Sequence, residues 1–345
     1  MMEARADDRR IFTNGVQPNV LALQESKGLS SRALVNALNT PIVKKPLPPS
    51  GEFEFMNDLR FPLFSKERMG VKGDLAEEDI AALIELFADA KTFCALIQVP
   101  PTLAEKLPAI GHRVRDVLAH GDLMTQPAAK VLLPLIEQAW MLSRQYDAVV
   151  ANPPYMGGKY FNERLKTLAS ELYEDGKADL YACFTLRNIQ FAKTNGLIGM
   201  IIIPNWMFLS SFEGLRRTLF EHQTIDTFVH NGRGVWGSDF GSCNFTIRNV
   251  SLPNYKGVFR RLFDKQGSVA SNEELERRFA EVKAYLVSPM DLKRIPGNPV
   301  AYWASEGVRS LFMKHEPLNR VANLRQGMSS GNGDKYVRFW HEVCL

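Results

Sequence analysis

The chain has 345 residues, of which 45% are apolar and 23% charged, with a formal net charge of +4. That composition belongs to folded protein rather than a disordered tail, and the small positive charge tolerates a nucleic-acid partner without demanding one. The four cysteines lie far apart with no CxxC spacing, so neither a zinc site nor a disulfide framework is indicated. No apolar run is long enough to span a bilayer, and MMEARADDRR lacks the apolar core of a secretory signal, so a cytoplasmic protein is expected.

Residues 1–50 read as an extended, irregular lead-in: a weakly patterned stretch with one short element at Asn19–Leu23, then the proline-rich connector PIVKKPLPPS. Residues 51–145 read as mainly helical. Asp74–Ala90 is an amphipathic helix with Asp74 as its expected N-cap and acidic residues in its first turn. Phe93–Val99 is expected to be a strand, and Thr125–Arg144 a helix that Pro134 kinks or delays. From residue 146 the alternation is regular. A strand at 147–151 leads into a loop at 152–178 and a helix from Asp179 to Lys193. The Asn195–Gly196 turn opens a strand at 197–203, followed by a helix from Ser211 to Glu221 and a strand at Thr224–Val229. A hairpin around 240–263 is expected to close the sheet, and Ser271–Val287, opened by a capping box with Glu274, to form a surface helix. Strand–helix alternation ending in a hairpin makes this an α/β chain, a doubly wound Rossmann-like sheet with an antiparallel hairpin edge and a helical N-terminal insertion.

The most informative residues are Asn152-Pro153-Pro154-Tyr155, directly behind the apolar strand YDAVVA. Two prolines fix φ and lack N–H groups, so this segment is a rigid rim at the carboxyl end of a strand, where open α/β sheets bind ligands. By itself the tetrapeptide reads equally as a strand-to-loop turn whose Asn caps backbone and whose Tyr packs. As a site, it offers two acceptors, the Asn152 side-chain oxygen and the Pro153 carbonyl, for the two hydrogens of an exocyclic amine. Held that way, an adenine amine would localise its lone pair towards an electrophile, while Tyr155 stacks on the base. Lys159 and Lys177 flank the loop within reach of a phosphate but read more readily as solvated surface, and the basic pairs Arg216-Arg217 and Arg260-Arg261 are too sparse for a nucleic-acid stripe. Phe208, Phe212 and Phe220 have helix-compatible spacing and read as core. Gly157-Gly158 is expected to let the loop close over the base. Asp179 reads as a helix cap more readily than as a contact near the pocket. The histidines form no triad or metal set.

These residues and their neighbours resemble the amino-methylating, S-adenosylmethionine-dependent DNA methyltransferases. DAVVANPPY is similar to their catalytic motif; KADLY (177–181), LIGMIIIP (197–204) and FLSSFEGLR (208–216) resemble the helix start, strand and helix that follow. The combination is most similar to the large adenine-specific enzymes of bacteriophage-exclusion (BREX) type, relatives of the single-chain type IIG restriction–methylation enzymes. The resemblance implies N6-methylation of an adenine flipped out of double-stranded DNA, with Asn152, Pro153, Pro154 and Tyr155 as catalytic residues, S-adenosylmethionine as cofactor, and other phage-defence proteins as further partners. It implies that 146–265 is the catalytic half of the domain, and that 266–345 is a helix plus the start of a target-recognition region.

One departure from that pattern is large. The Gly-rich loop that holds the methionine end of the cofactor should precede the catalytic motif. Gly15, Gly28, Gly51, Gly70, Gly73, Gly111 and Gly121 form no GxG pair after an apolar strand. The chain therefore reads as an internal fragment, expected to bind the cofactor weakly and of doubtful activity by itself. Two alternatives stay open: an NPPY-type methyltransferase acting on protein glutamine or RNA, and a non-catalytic remnant.

Overall fold

The computed structural model describes residues 20–42, 74–235, 240–264 and 271–322. Most of the lead-in, the connector beyond residue 42 and the recognition-like segment after residue 322 lie outside the described residues.

A helical unit comes first: α1 (Ser31–Asn39), α2 (Glu77–Leu86), the short α3 (Ala90–Phe93), α4 (Pro101–His120) and α5 (Gln126–Ser143). Leu38, Ile80, Leu83, Leu107, Val114, Leu132 and Ile136 form its buried core. Helix α2 starts three residues later than the sequence suggested. Its N-cap is Ala76, without a side-chain bond. The cause is local, because Asn39 accepts from the Leu75 N–H at 2.8 Å and donates to the Leu75 carbonyl at 3.0 Å, holding that backbone out of the helix. The strand expected at 93–99 is instead the end of α3 and a 3-10 turn at Cys94–Leu96. Its carbonyls need no ladder, since the Arg187 guanidinium donates to Ala95 O at 2.9 Å and Ile97 O at 2.7 Å. Pro134 sits inside α5 without ending it.

The second unit is an α/β sheet, with β1 (Tyr146–Ala151), α6 (Glu163–Leu172), α7 (Leu180–Phe191), β2 (Ala192–Ile202), α8 (Glu213–His222), β3 (Thr224–Gly232), β4 (Ser242–Arg248) and β5 (Gly257–Arg261). After it come α9 (Asn272–Glu281), β6 (Tyr285–Val287), α10 (Pro289–Lys293), α11 (Glu306–Lys314) and α12 (Leu318–Val321). Helix α6 lies within the span expected to be loop; Asn162 caps it by accepting from the Leu165 N–H.

The strand order is β1-β2-β4-β3-β5-β6. β1 runs parallel to β2, and β3 parallel to β5. The hairpin expected at 240–263 does not form. β4 inserts antiparallel between β2 and β3, and β5 lies beyond β3. The reason is packing. Cys243, Phe245 and Ile247 alternate onto the buried face, in register with Ile202, Met200 and Ile198 on one side and with His230, Phe228 and Ile225 on the other. Seated between β2 and β3, those side chains continue one apolar face across the sheet. The Ser271–Val287 helix also ends early. The chain turns after Glu281, and Tyr285–Val287 pairs with β5 as the strand β6.

Helices α7 and α8 cover one face of the sheet through Tyr181, Ala182, Leu215, Leu219 and Phe220. On the other face, among the described residues, Leu197 and Thr227 are exposed. β1, expected to be a buried strand, is an edge strand here, with Val150 85% exposed. Its apolar run suits a strand with neighbours on both sides, and among the described residues only β2 pairs with it.

Candidate active site

Because β1, β2, β3 and β5 all point the same way, their carboxyl ends share one rim. Asn152 stands at the end of β1, exposed, with Pro153 buried, Pro154 exposed and Tyr155 half-buried. The Tyr155 hydroxyl lies 3.3 Å from both Asn152 Oδ1 and the Ile201 carbonyl, so the ring is tied to the rim and to β2. Burial pushes the Tyr155 phenol pKa up, which keeps it a neutral donor.

Behind Asn152 the loop is laced to the start of α7. Gly158 N–H donates to Ala178 O at 2.9 Å, and Leu180 N–H to Met156 O at 2.9 Å. Asp179 caps α7 by accepting from the Tyr181 N–H, and it also accepts from the Met156 N–H at 3.0 Å. One carboxylate therefore starts the helix and clamps the loop; desolvation raises its pKa. Gly158 has a different use from the freedom expected of it: a Cβ there would lie 2.6 Å from the Lys177 carbonyl. Glycine is needed for close backbone approach.

A cavity of about 510 Å³ opens beside Tyr155. Its lining comes from every strand end on the rim: residues 203–205 after β2, His230 and Gly232 of β3, Phe240 between β3 and β4, and Phe263 after β5. Phe240 meets Tyr155 edge-on, with centroids 5.7 Å apart at 90°. Its aromatic walls suit a flat heterocycle.

Of the motif residues Tyr155 lines this cavity, while Asn152 and Pro153 precede it on the same rim, Asn152 meeting the Tyr155 hydroxyl; the other candidates lie elsewhere. Lys177 pairs with Glu174, and Lys159 lies over the Tyr160 ring. Arg216 is buried, bonded to the carbonyls of Trp206, Leu209 and Gly297, and Arg217 pairs with Asp175. Phe212 and Phe220 are core, whereas Phe208 is exposed beside Trp303. Asp122 closes the α4–α5 turn by accepting from the Met124 and Thr125 N–H groups. Phe240 and His230 were missed. Neither sits in a motif, and Phe240 meets Tyr155 only in a sheet where β4 lies between β2 and β3.

The sequence is similar to several known proteins. Residues 76–236 match the model of the Eco57I restriction-modification methylase family. Over its whole length the chain is 36% identical to the adenine-specific methyltransferase BrxX of Escherichia coli O9:H4 (strain HS). It is a relative of the adenine-specific methyltransferases. A second relative, PglX of Lacticaseibacillus casei (strain Zhang), is 31% identical over 61% of the chain. A third, the type II methyltransferase M.BanIII of Aneurinibacillus aneurinilyticus, is 26% identical over 41% of it, covering 26% of that protein. The chain spans 28% of the length of BrxX and 18% of that of PglX. No helix among the described residues is long and apolar enough to cross a membrane. No group of residues suited to a metal ion occurs among them either.

Proposed function

We propose that this chain carries the base-binding and catalytic half of an S-adenosylmethionine-dependent DNA methyltransferase acting on adenine N6. The observation that supports it best is the placement of Asn152, Pro153 and Tyr155 on one rim, with Tyr155 lining a cavity walled by Phe240. An adenine flipped out of the duplex, at a cost of a few kcal/mol, would enter that cavity and stack on Tyr155. Asn152 Oδ1 and the Pro153 carbonyl would accept the two amine hydrogens. The nitrogen lone pair, withdrawn from ring resonance, would then face outward from the rim. No general base is required, because the amine proton becomes acidic only once the new N–C bond forms.

The described residues do not fit the cofactor. The cavity lining has no carboxylate for ribose hydroxyls. Near Asn152, among the described residues, Val150 on the β1 edge and Leu197 on the sheet face stand exposed where a cradle should be. We therefore assign the cofactor's amino-acid end to a further segment that adds to the β1 edge, and derive no step through the cofactor itself. Other phage-defence proteins remain proposed partners on family grounds alone.

The test is product identity. The chain, supplied with the amino-terminal segment of the BrxX relative, is incubated with methyl-labelled cofactor and duplex DNA, and the DNA is digested to nucleosides. Label in N6-methyladenine is expected. Label confined to protein glutamine or RNA would replace DNA adenine as the substrate. Micromolar cofactor affinity of the chain alone, measured by calorimetry, would overturn the assignment of the cradle to another segment.

A further inference from the structure

Among the described residues, His230 is the one histidine that lines the cavity. It sits near the carboxyl end of β3, 9% exposed, with its ring edge-on to Phe263 at a centroid distance of 4.7 Å. Its Nδ1 lies 3.3 Å from the hydroxyl of Tyr302, which is 1% exposed and stacked on Phe259. Burial and the neighbouring Arg261 hold its pKa down at about 4, so the ring is neutral. A phenol O–H donating to Nδ1 leaves the imidazole proton on Nε2. With the Tyr302 phenol as that donor, the ring presents a single N–H, on Nε2.

Adenine needs such a donor. On the reading above, Asn152 and Pro153 use its amine hydrogens, while its ring nitrogens remain bare acceptors in a cavity with aromatic walls. An acceptor left unpaired there loses its water without compensation. We propose that His230 reads the base held against Tyr155, donating from Nε2 to a ring nitrogen of the purine. The inference rests on the cavity being the base site, and it adds a specificity residue that the sequence motif does not contain. The competing use of His230, as core packing under Phe263 and Tyr302, requires no nitrogen on the ligand.

The probe is adenosine, titrated into the 345-residue chain and followed by NMR of the histidine Nε2–H and by ligand line-broadening. Adenosine should shift the His230 Nε2–H resonance downfield. His230→Phe, which keeps the ring and removes the donor, should weaken binding about three- to tenfold, the loss of one hydrogen bond. His230→Gln, which restores an N–H near the same place, should recover part of it. One of the 1-, 3- and 7-deaza adenosines should show the same loss against the wild type and no further loss against His230→Phe. Equal binding of all three deaza analogues to the wild type overturns the proposal, and needs no variant to fold. So does unaltered adenosine binding by His230→Phe when Tyr155→Ala has lost it, and in that case the base site stands. Adenosine binding that neither variant alters removes the base site, and the reading role of His230 with it.

Discussion

Arg187 joins the two units of the fold, and its replacement by leucine should be among the most damaging changes outside the site. Its guanidinium donates to Ala95 O at 2.9 Å, Ile97 O at 2.7 Å, Leu142 O at 2.8 Å and Gln190 Oε1 at 3.1 Å, and it covers the Phe191 ring at 3.9 Å. Three of these acceptors are backbone carbonyls of the helical unit, while Arg187 itself lies on α7. Leaving each buried carbonyl unpaired costs about 1–3 kcal/mol, so the gross loss is roughly 3–9 kcal/mol. Two effects reduce it. Removing the guanidinium also removes its own desolvation, which lowers its pKa here. An open cavity lined by Gln98, Leu142 and Gln190 also lets water reach some of the freed carbonyls. The net expectation is a loss of about 3–4 kcal/mol. Guanidinium denaturation followed by circular dichroism measures it, with Arg187→Lys expected to recover only part, since an ammonium lacks the planar fork. A loss below about 1 kcal/mol for Arg187→Leu would show that these bonds do not fasten the helical unit to α7.

Gly158→Ala should strain the Lys177 carbonyl and cost about 1–3 kcal/mol, and hydrogen exchange should show faster exchange of the Gly158 and Met156 amides. Unchanged protection would mean the loop accommodates a side chain. His230 titrates at about 4 when folded, against 6.5 ordinarily, so between those values the unfolded chain binds more protons and stability falls as pH drops from 6.5 towards 4. At about 1.4 kcal/mol per unit the loss reaches roughly 3 kcal/mol, and it should be absent from His230→Gln in a series of melts at stepped pH. Tyr155→Phe keeps the stacking face and loses one O–H shared between two acceptors 3.3 Å away, so methyl transfer should fall only about two- to tenfold. Tyr155→Ala should weaken engagement of the base by a further 1–3 kcal/mol or so, read from 2-aminopurine fluorescence.

How much of this was legible in the sequence depends on how local each feature is. Asn152 at a strand's carboxyl end follows from one apolar run stopped by two prolines, and the model agrees. The helix after Asp179 follows from a cap followed by an apolar pattern. Strand order does not follow from local pattern. The alternation in β4 shows a buried face, but only the fit of Phe245 between Met200 and Phe228 decides which strands it joins. The 93–99 segment looked like a strand because its apolar residues were visible. The guanidinium that satisfies its carbonyls comes from about ninety residues away. His230 and Phe240 escaped for the same reason, as each acquires a role only once four strand ends share a rim.

The most direct test of the functional claim is methyl transfer to adenine by Asn152→Ala, in the chain supplied with the cofactor-binding segment. Asn152 is exposed, so the variant should fold with unchanged circular dichroism. Losing one of two acceptors for the amine should slow transfer by about a hundred- to a thousandfold, as for other charge-positioning contacts. Wild-type rates in the folded variant would contradict the assignment of this rim to catalysis.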